Sequence, residues 1–136
     1  MKSYAESEAF KPFELKLFAA ATVAVDRMPD EIDCRWLRCH EVARAVGNLL
    51  DLEVCDGWYG MVEHSWLWTR EPELVEGAFL GGLPNILDVY VPGGMPQVQL
   101  IHTSSALPLN YRRGDPRTDI DARTVELLIK ECGKCT

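Results

Sequence analysis

Three side chains near the middle of the sequence together provide the groups that a cysteine nucleophile requires. Cys39 carries a thiol, His64 an imidazole and Asp88 a carboxylate. A thiol attacks well only as the thiolate, so a histidine should lie beside it and take up its proton. A carboxylate on the far nitrogen then holds the imidazole in one tautomer. These residues, in this order, predict a cysteine–histidine–aspartate catalytic triad.

One predicted helix and two predicted strands would have to position this triad. Apolar residues at helical spacing predict a helix over residues 33–50, with the cysteine on its apolar face. Alternation of period two predicts a strand over 62–69 that carries the histidine, and a strand over 86–91 carries the aspartate. A buried aspartate needs a partner, and neighbouring antiparallel strands bring side chains on one face within about 5 Å. We therefore expect Asp88 to bind His64.

The remaining pattern predicts the fold class. The other predicted elements are a helix over 12–28, a strand over 52–59 joined to the next through Gly60, a strand over 97–101 and a helix over 118–132. Strands grouped in mid-chain and flanked by helices indicate an α+β fold. We expect an antiparallel sheet of about four strands packed against N-terminal helices, with a C-terminal helix, in a single domain over 1–136.

The composition argues against several classes of partner. The net charge is −7, and no group of basic residues is larger than the Arg112-Arg113 pair. A phosphate-binding surface needs basic residues on one face, so we expect neither nucleic acid nor an anionic membrane as a partner. The longest apolar run, residues 17–25, is too short to span a bilayer. Five cysteines without a secretion signal predict a reducing compartment and a cytoplasmic location.

The order of the motifs resembles the transglutaminase-like branch of the papain-like superfamily. The motifs are Cys39-His40-Glu41-Val42-Ala43, His64-Ser65-Trp66-Leu67 and Ile86-Leu87-Asp88-Val89-Tyr90, and the resemblance covers about residues 33–101. It implies a papain-like core and a thioester intermediate formed from an amide, ester or thioester. Cys39 would be the nucleophile, His64 the general base and then the acid, and Asp88 the orienting group. No metal or organic cofactor is expected.

The predicted function is that of a thiol hydrolase or acyltransferase acting on a peptide, amide or thioester substrate. The loop over residues 70–85 would then form a rim or lid of the cleft. The alternative is a catalytically inactive domain of the same fold that serves as a protein-binding module. Four apolar loop residues would mark its interface: Leu74, Val75, Phe79 and Leu80.

A second cysteine competes for the role of nucleophile. The family usually places its cysteine in the first turn of the helix, and Cys34 fits that placement better than Cys39 if the helix begins near residue 33. We prefer Cys39 because it shares the inward stripe with Trp36 and Ala43. His40 follows Cys39 directly but projects about 100° away from it on a helix, so it is a weak candidate for the base.

Tryptophans near the predicted strands are candidates for substrate binding. We predict this role for Trp36, Trp58 and Trp66, against the competing explanation that aromatic side chains fill the core.

Cys132 and Cys135 have the spacing of half a zinc site or of a redox pair. Zinc ribbons combine two pairs of closely spaced cysteines. Cys34 and Cys39 would have to form the second pair, and their spacing is wider than such a pair usually has. We therefore expect no metal, and a terminal cysteine pair that is frayed and free.

Overall fold

The computed structural model describes residues 10–29, 31–69, 85–91, 96–102 and 110–132. In that part of the chain there are three helices and seven strands. The helices are α1 (Pro12–Asp26), α2 (Cys39–Leu50) and α3 (Ala122–Cys132). The strands are β1 (Glu31–Ile32), β2 (Arg35–Trp36), β3 (Val54–Tyr59), β4 (Val62–Trp68), β5 (Ile86–Tyr90), β6 (Gln97–Ile101) and β7 (Tyr111–Arg113).

The main sheet is antiparallel and has five strands in the order β6-β5-β4-β3-β7. The α+β class is confirmed, but the expected number of about four strands is too low because β7, which has only three residues, was not predicted as a strand. This short strand lies along β3, where its approach requires a glycine. A Cβ on Gly57 would lie 2.0 Å from the carbonyl oxygen of Arg112.

The two faces of the main sheet have different neighbours. Leu67, Leu87 and Leu100 are in register on adjacent strands and are fully buried in one cluster with Val42 and Val46 of α2. Each such side chain contributes roughly 1.5–3 kcal/mol through burial. Helix α1 contacts α2 and β6, and α3 contacts α2, so the helices cover this face as predicted. Because side chains alternate along a strand, the histidine and aspartate of the predicted triad project from the other face.

The second predicted helix begins later than expected, at Cys39 rather than near residue 33. A small hairpin precedes it, in which β1 pairs with β2 across a turn at Asp33 and Cys34. Both turn residues have positive φ, 53° and 64°, as in the two-residue turns that match the twist of a hairpin. Trp36 belongs to β2, so the helical stripe used to choose Cys39 was wrong, although it selected a residue at the helix start.

Several predictions lie outside the described residues. These are the lid over residues 70–84, the interface residues Leu74, Val75, Phe79 and Leu80, and the second cysteine of the terminal pair, Cys135. In the described ranges, no helix has the length and apolar character needed to cross a membrane.

Candidate active site

Cys39 is the first residue of α2, where the helix terminus favours negative charge. Arg38 is the N-cap residue, with extended backbone (φ −111°, ψ 151°) and no capping hydrogen bond from its side chain. The N–H groups of a first turn have no partner within the helix, and they form the positive end of its dipole. A thiolate on Cys39 is therefore stabilised by the helix itself. Cys39, and not Cys34, is therefore the cysteine in the first turn of this helix.

His64 and Asp88 form a buried pair on neighbouring strands. Nε2 of His64 lies 2.6 Å from Oδ1 of Asp88, and the two residues are 9% and 6% exposed. Cys39 lies close enough to His64 for each group to shift the pKa of the other. Because Nε2 is bound to Asp88, Nδ1 is the ring nitrogen left for the sulfur. The imidazole thus connects the thiol to the carboxylate, and the structure brings all three residues of the predicted triad together.

His64 lies just beyond the paired part of β4 and β5. The ladder between these strands pairs Trp66 with Asp88 but does not extend to His64. Helix α2 packs against the other face of the sheet, and its N-terminal residue is Cys39. The site therefore lies where the start of α2 meets the end of the β4–β5 ladder.

The electrostatics of the site favour a thiolate–imidazolium pair. Burial alone would raise the pKa of Cys39, but hydrogen bonds from His40 and His64 and the charge of His64 lower it to about 6. Burial alone would lower the pKa of His64, but its bonds to Asp88 and Cys39, and their negative charges, raise it to about 9. Between these two values the sulfur carries a negative charge and the imidazole a positive one.

Tyr111 of β7 binds the second oxygen of Asp88, a role that no sequence pattern indicated. Its hydroxyl donates a hydrogen bond to Oδ2 of Asp88. Burial and the charge of Asp88 raise the pKa of Tyr111 above its usual range, so the hydroxyl keeps its hydrogen. The ring of Trp66 stacks on His64 with the centroids 6.1 Å apart. Hydrogen bonding from behind and stacking from the side both limit rotation of the imidazole.

Replacing Tyr111 with phenylalanine should destabilise the fold. It leaves one oxygen of a buried carboxylate without its donor, which costs about 1–3 kcal/mol. Urea unfolding measures the free energy of unfolding, and Tyr59→Phe is the matched control. Tyr59 packs edge-on against Tyr111 at 4.9 Å but is 46% exposed, so it loses a hydroxyl at little cost. Equal stabilities of the two variants would contradict the role of Tyr111.

The three tryptophans predicted to bind substrate occupy different places. Trp66 is fully buried and supports the imidazole instead of presenting a surface. Trp58 alternates with Tyr59, so its side chain is on the sheet face opposite to His64, where the guanidinium of Arg112 lies 5.9 Å from its ring centroid. Trp36 is 65% exposed and lines a pocket with Arg38. Among the described aromatic residues, Tyr59 is exposed and also contacts His64, with the two ring centroids 6.2 Å apart.

The other cysteines are placed away from this chemistry. Cys34 is exposed in the turn between β1 and β2. Cys132 is buried, and its sulfur donates to the carbonyl oxygen of Ala24 at 3.2 Å. The expectation of a frayed terminal pair is therefore wrong for Cys132, because this residue packs α3 against α1. Within the described ranges, no group of three histidine, cysteine or acidic side chains could hold a metal ion.

Comparisons with protein-family models, with curated proteins and with solved structures find no match for this chain.

Proposed function

We propose that the protein is a papain-like thiol hydrolase or acyltransferase of the transglutaminase-like type. It would act on an amide, ester or thioester through a thioester on Cys39. The observation that carries this proposal is the position of His64, which is hydrogen-bonded to Asp88 and lies close enough to Cys39 for the two side chains to shift each other's pKa. Nucleophile, base and orienting group are the three components that covalent catalysis by cysteine needs.

In the first step, the thiolate of Cys39 attacks the carbonyl carbon of the substrate. The carbonyl oxygen then gains negative charge, and the backbone N–H groups in the first turn of α2 are the nearest preorganised donors for it. When the intermediate collapses, the imidazolium of His64 gives its proton to the departing nitrogen, oxygen or sulfur atom. The products are a free leaving group and a thioester at Cys39.

In the second step, His64 is neutral and acts as the base. It takes a proton from water, or from an amine, as that group attacks the thioester carbon. The carbon–sulfur bond breaks and its electron pair returns to the sulfur, which restores the thiolate–imidazolium pair. Water as acceptor gives hydrolysis and an amine gives acyl transfer. The half-exposed ring of Tyr59 beside His64 supplies an apolar contact for the acyl group.

The pH dependence of alkylation tests this proposal. The alkylation rate of Cys39 by iodoacetamide should rise with a midpoint near pH 6, because the thiolate exists above the lowered pKa of Cys39. An ordinary cysteine titrates near pH 8.5. A second change should follow near pH 9, where His64 loses its proton and the ion pair disappears. Acyl transfer to an amine should require both charges and show a bell-shaped profile between these limits.

Mass spectrometry of the peptide that contains Cys39 measures the alkylation rate at each pH. A short cysteine peptide, alkylated under the same conditions, controls for the reagent. A single midpoint for Cys39 at the position of the free peptide would contradict the proposed function.

A further inference from the structure

A second buried histidine lies against the sulfur of Cys39. Nδ1 of His40 is 3.7 Å from Sγ of Cys39 and 2.7 Å from Oγ of Ser65. His40 is 7% exposed and Ser65 is fully buried. The sequence had ranked His40 as a weak base because of its direction on the helix. The structure places the ring beside the sulfur nevertheless, with its Nδ1 held by Ser65 of β4.

A chain of hydrogen bonds fixes the orientation of this ring. Ser65 donates from Oγ to Oδ1 of Asp56 at 2.6 Å. Asp56 pairs with Ser65 in the ladder between β3 and β4, and its other oxygen accepts from Arg44 at 2.5 Å and from the N–H of Arg117 at 3.0 Å. Burial alone would raise the pKa of Asp56, but these donors lower it, so the carboxylate is ionised. Arg44 also donates a hydrogen bond to the carbonyl oxygen of His40 at 3.0 Å, so it links α2 to this chain of hydrogen bonds.

The direction of these bonds determines where the hydrogen of His40 lies. An ionised carboxylate can only accept, so the single hydrogen of the Ser65 hydroxyl points to Asp56. The oxygen of Ser65 must then accept from His40, which places the ring hydrogen on Nδ1. That N–H is directed at Oγ of Ser65, 2.7 Å from Nδ1, and it shares its hydrogen with the sulfur of Cys39, 3.7 Å from Nδ1, in a three-centre hydrogen bond. The chain through Asp56, Ser65 and His40 therefore ends in a donor at the nucleophile.

We propose that His40 is a second hydrogen-bond donor to the sulfur of Cys39, oriented by Ser65 and Asp56. This inference rests on the proposed function. His64 moves a proton in each step, whereas His40 keeps its hydrogen on Nδ1 and stabilises negative sulfur throughout. It acts on the attacking thiolate, and again when the carbon–sulfur bond of the thioester breaks and the electron pair returns to the sulfur. Of the charged groups near these two histidines, Asp88 binds His64 directly. Asp56, which is paired with Arg44, binds His40 through Ser65.

Variants of His40 separate this role from packing. His40→Ala removes the donor, and the midpoint of Cys39 alkylation should rise by roughly one pH unit, about a fivefold loss of thiolate at pH 6. His40→Asn keeps an N–H close to the position of Nδ1 and should restore most of that loss. Ser65→Ala removes the orienting acceptor and should give an intermediate midpoint. His102→Ala, at an exposed histidine bonded to Asn85, is the control that should match the wild type.

The outcomes distinguish this inference from the proposed function. An ordinary cysteine profile in the wild type would overturn both. A wild-type midpoint near pH 6 that His40→Ala leaves unchanged, or that His40→Asn fails to restore, would overturn only the role of His40. Nitrogen NMR of the wild-type histidines needs no variant and covers the case in which His40→Ala does not fold. We expect the hydrogen of His40 on Nδ1, and a hydrogen on Nε2 instead would contradict the proposal.

Discussion

Cys39→Ser should abolish covalent turnover, with a loss of roughly 10³-fold or more in the hydrolysis of an activated ester. The serine hydroxyl occupies the same place, but its oxygen does not ionise at neutral pH. The thiolate–imidazolium pair with His64 therefore cannot form. With p-nitrophenyl acetate, the wild type should release a rapid burst of nitrophenolate as the acyl-enzyme accumulates. Mass spectrometry should find one acetyl group on the peptide that contains Cys39.

Two other cysteines provide matched controls for this result. Cys34 is exposed in the hairpin turn, and Cys55 is buried in β3. Cys34→Ser and Cys55→Ser should keep the burst and the acetyl group on Cys39. A burst that survives in Cys39→Ser, or an acetyl group found on another cysteine, would contradict the assignment of the nucleophile.

His64→Asn should cause the second largest effect, a fall of roughly 30- to 100-fold in Cys39 alkylation at pH 6. Asparagine cannot take up the proton, so the pKa of Cys39 rises from about 6 towards the value of a free thiol. The N–H of His40 is still present in this variant, so part of the lowering of the Cys39 pKa remains. Above that value the thiol ionises without help, so the alkylation rates of variant and wild type should converge at alkaline pH. This convergence separates a lost base from a misfolded protein.

Asp88→Asn provides a companion to this experiment. It removes the charge that raises the pKa of His64 to about 9. The alkaline limit of acyl transfer should therefore move to lower pH, while the residual activity stays above that of His64→Asn. His102→Asn is the histidine control, since this exposed residue bonds Asn85 away from the triad. If Asp88→Asn left the alkaline limit in place, the carboxylate would have no role in holding the imidazole.

Strands were predicted better than the helix that supplies the nucleophile. The alternation in residues 62–68 and the apolar residues around Asp88 are local patterns, and the structure has strands β4 and β5 there. Trp36 and Cys39 are also separated by a helical interval, but the chain forms a hairpin up to Trp36. A spacing of three residues is compatible with a helix without requiring one. The turn geometry at Asp33 and Cys34 decides the outcome. Aspartate is enriched at positive φ, but cysteine is not, and the pair lacks the glycine that is typical of such turns.

In the candidate site, too, some features follow from local sequence patterns and others depend on packing. The sequence by itself determined the order of thiol, imidazole and carboxylate, and it placed His64 and Asp88 on one face of adjacent strands. Alternation along a strand is a local property of the backbone, so it can be read from a few consecutive residues.

Only the tertiary structure decided which groups touch the triad. It put Cys39 at the end of the helix dipole, Tyr111 behind Asp88 and His40 against the sulfur. The start of α2 at Cys39 depends on the hairpin before it, and the ring of His40 is held by Ser65 of β4. Tyr111 reaches Asp88 only because Gly57 lets β7 approach β3. Packing sums many small free energies over the whole chain, so no short stretch of sequence records its result.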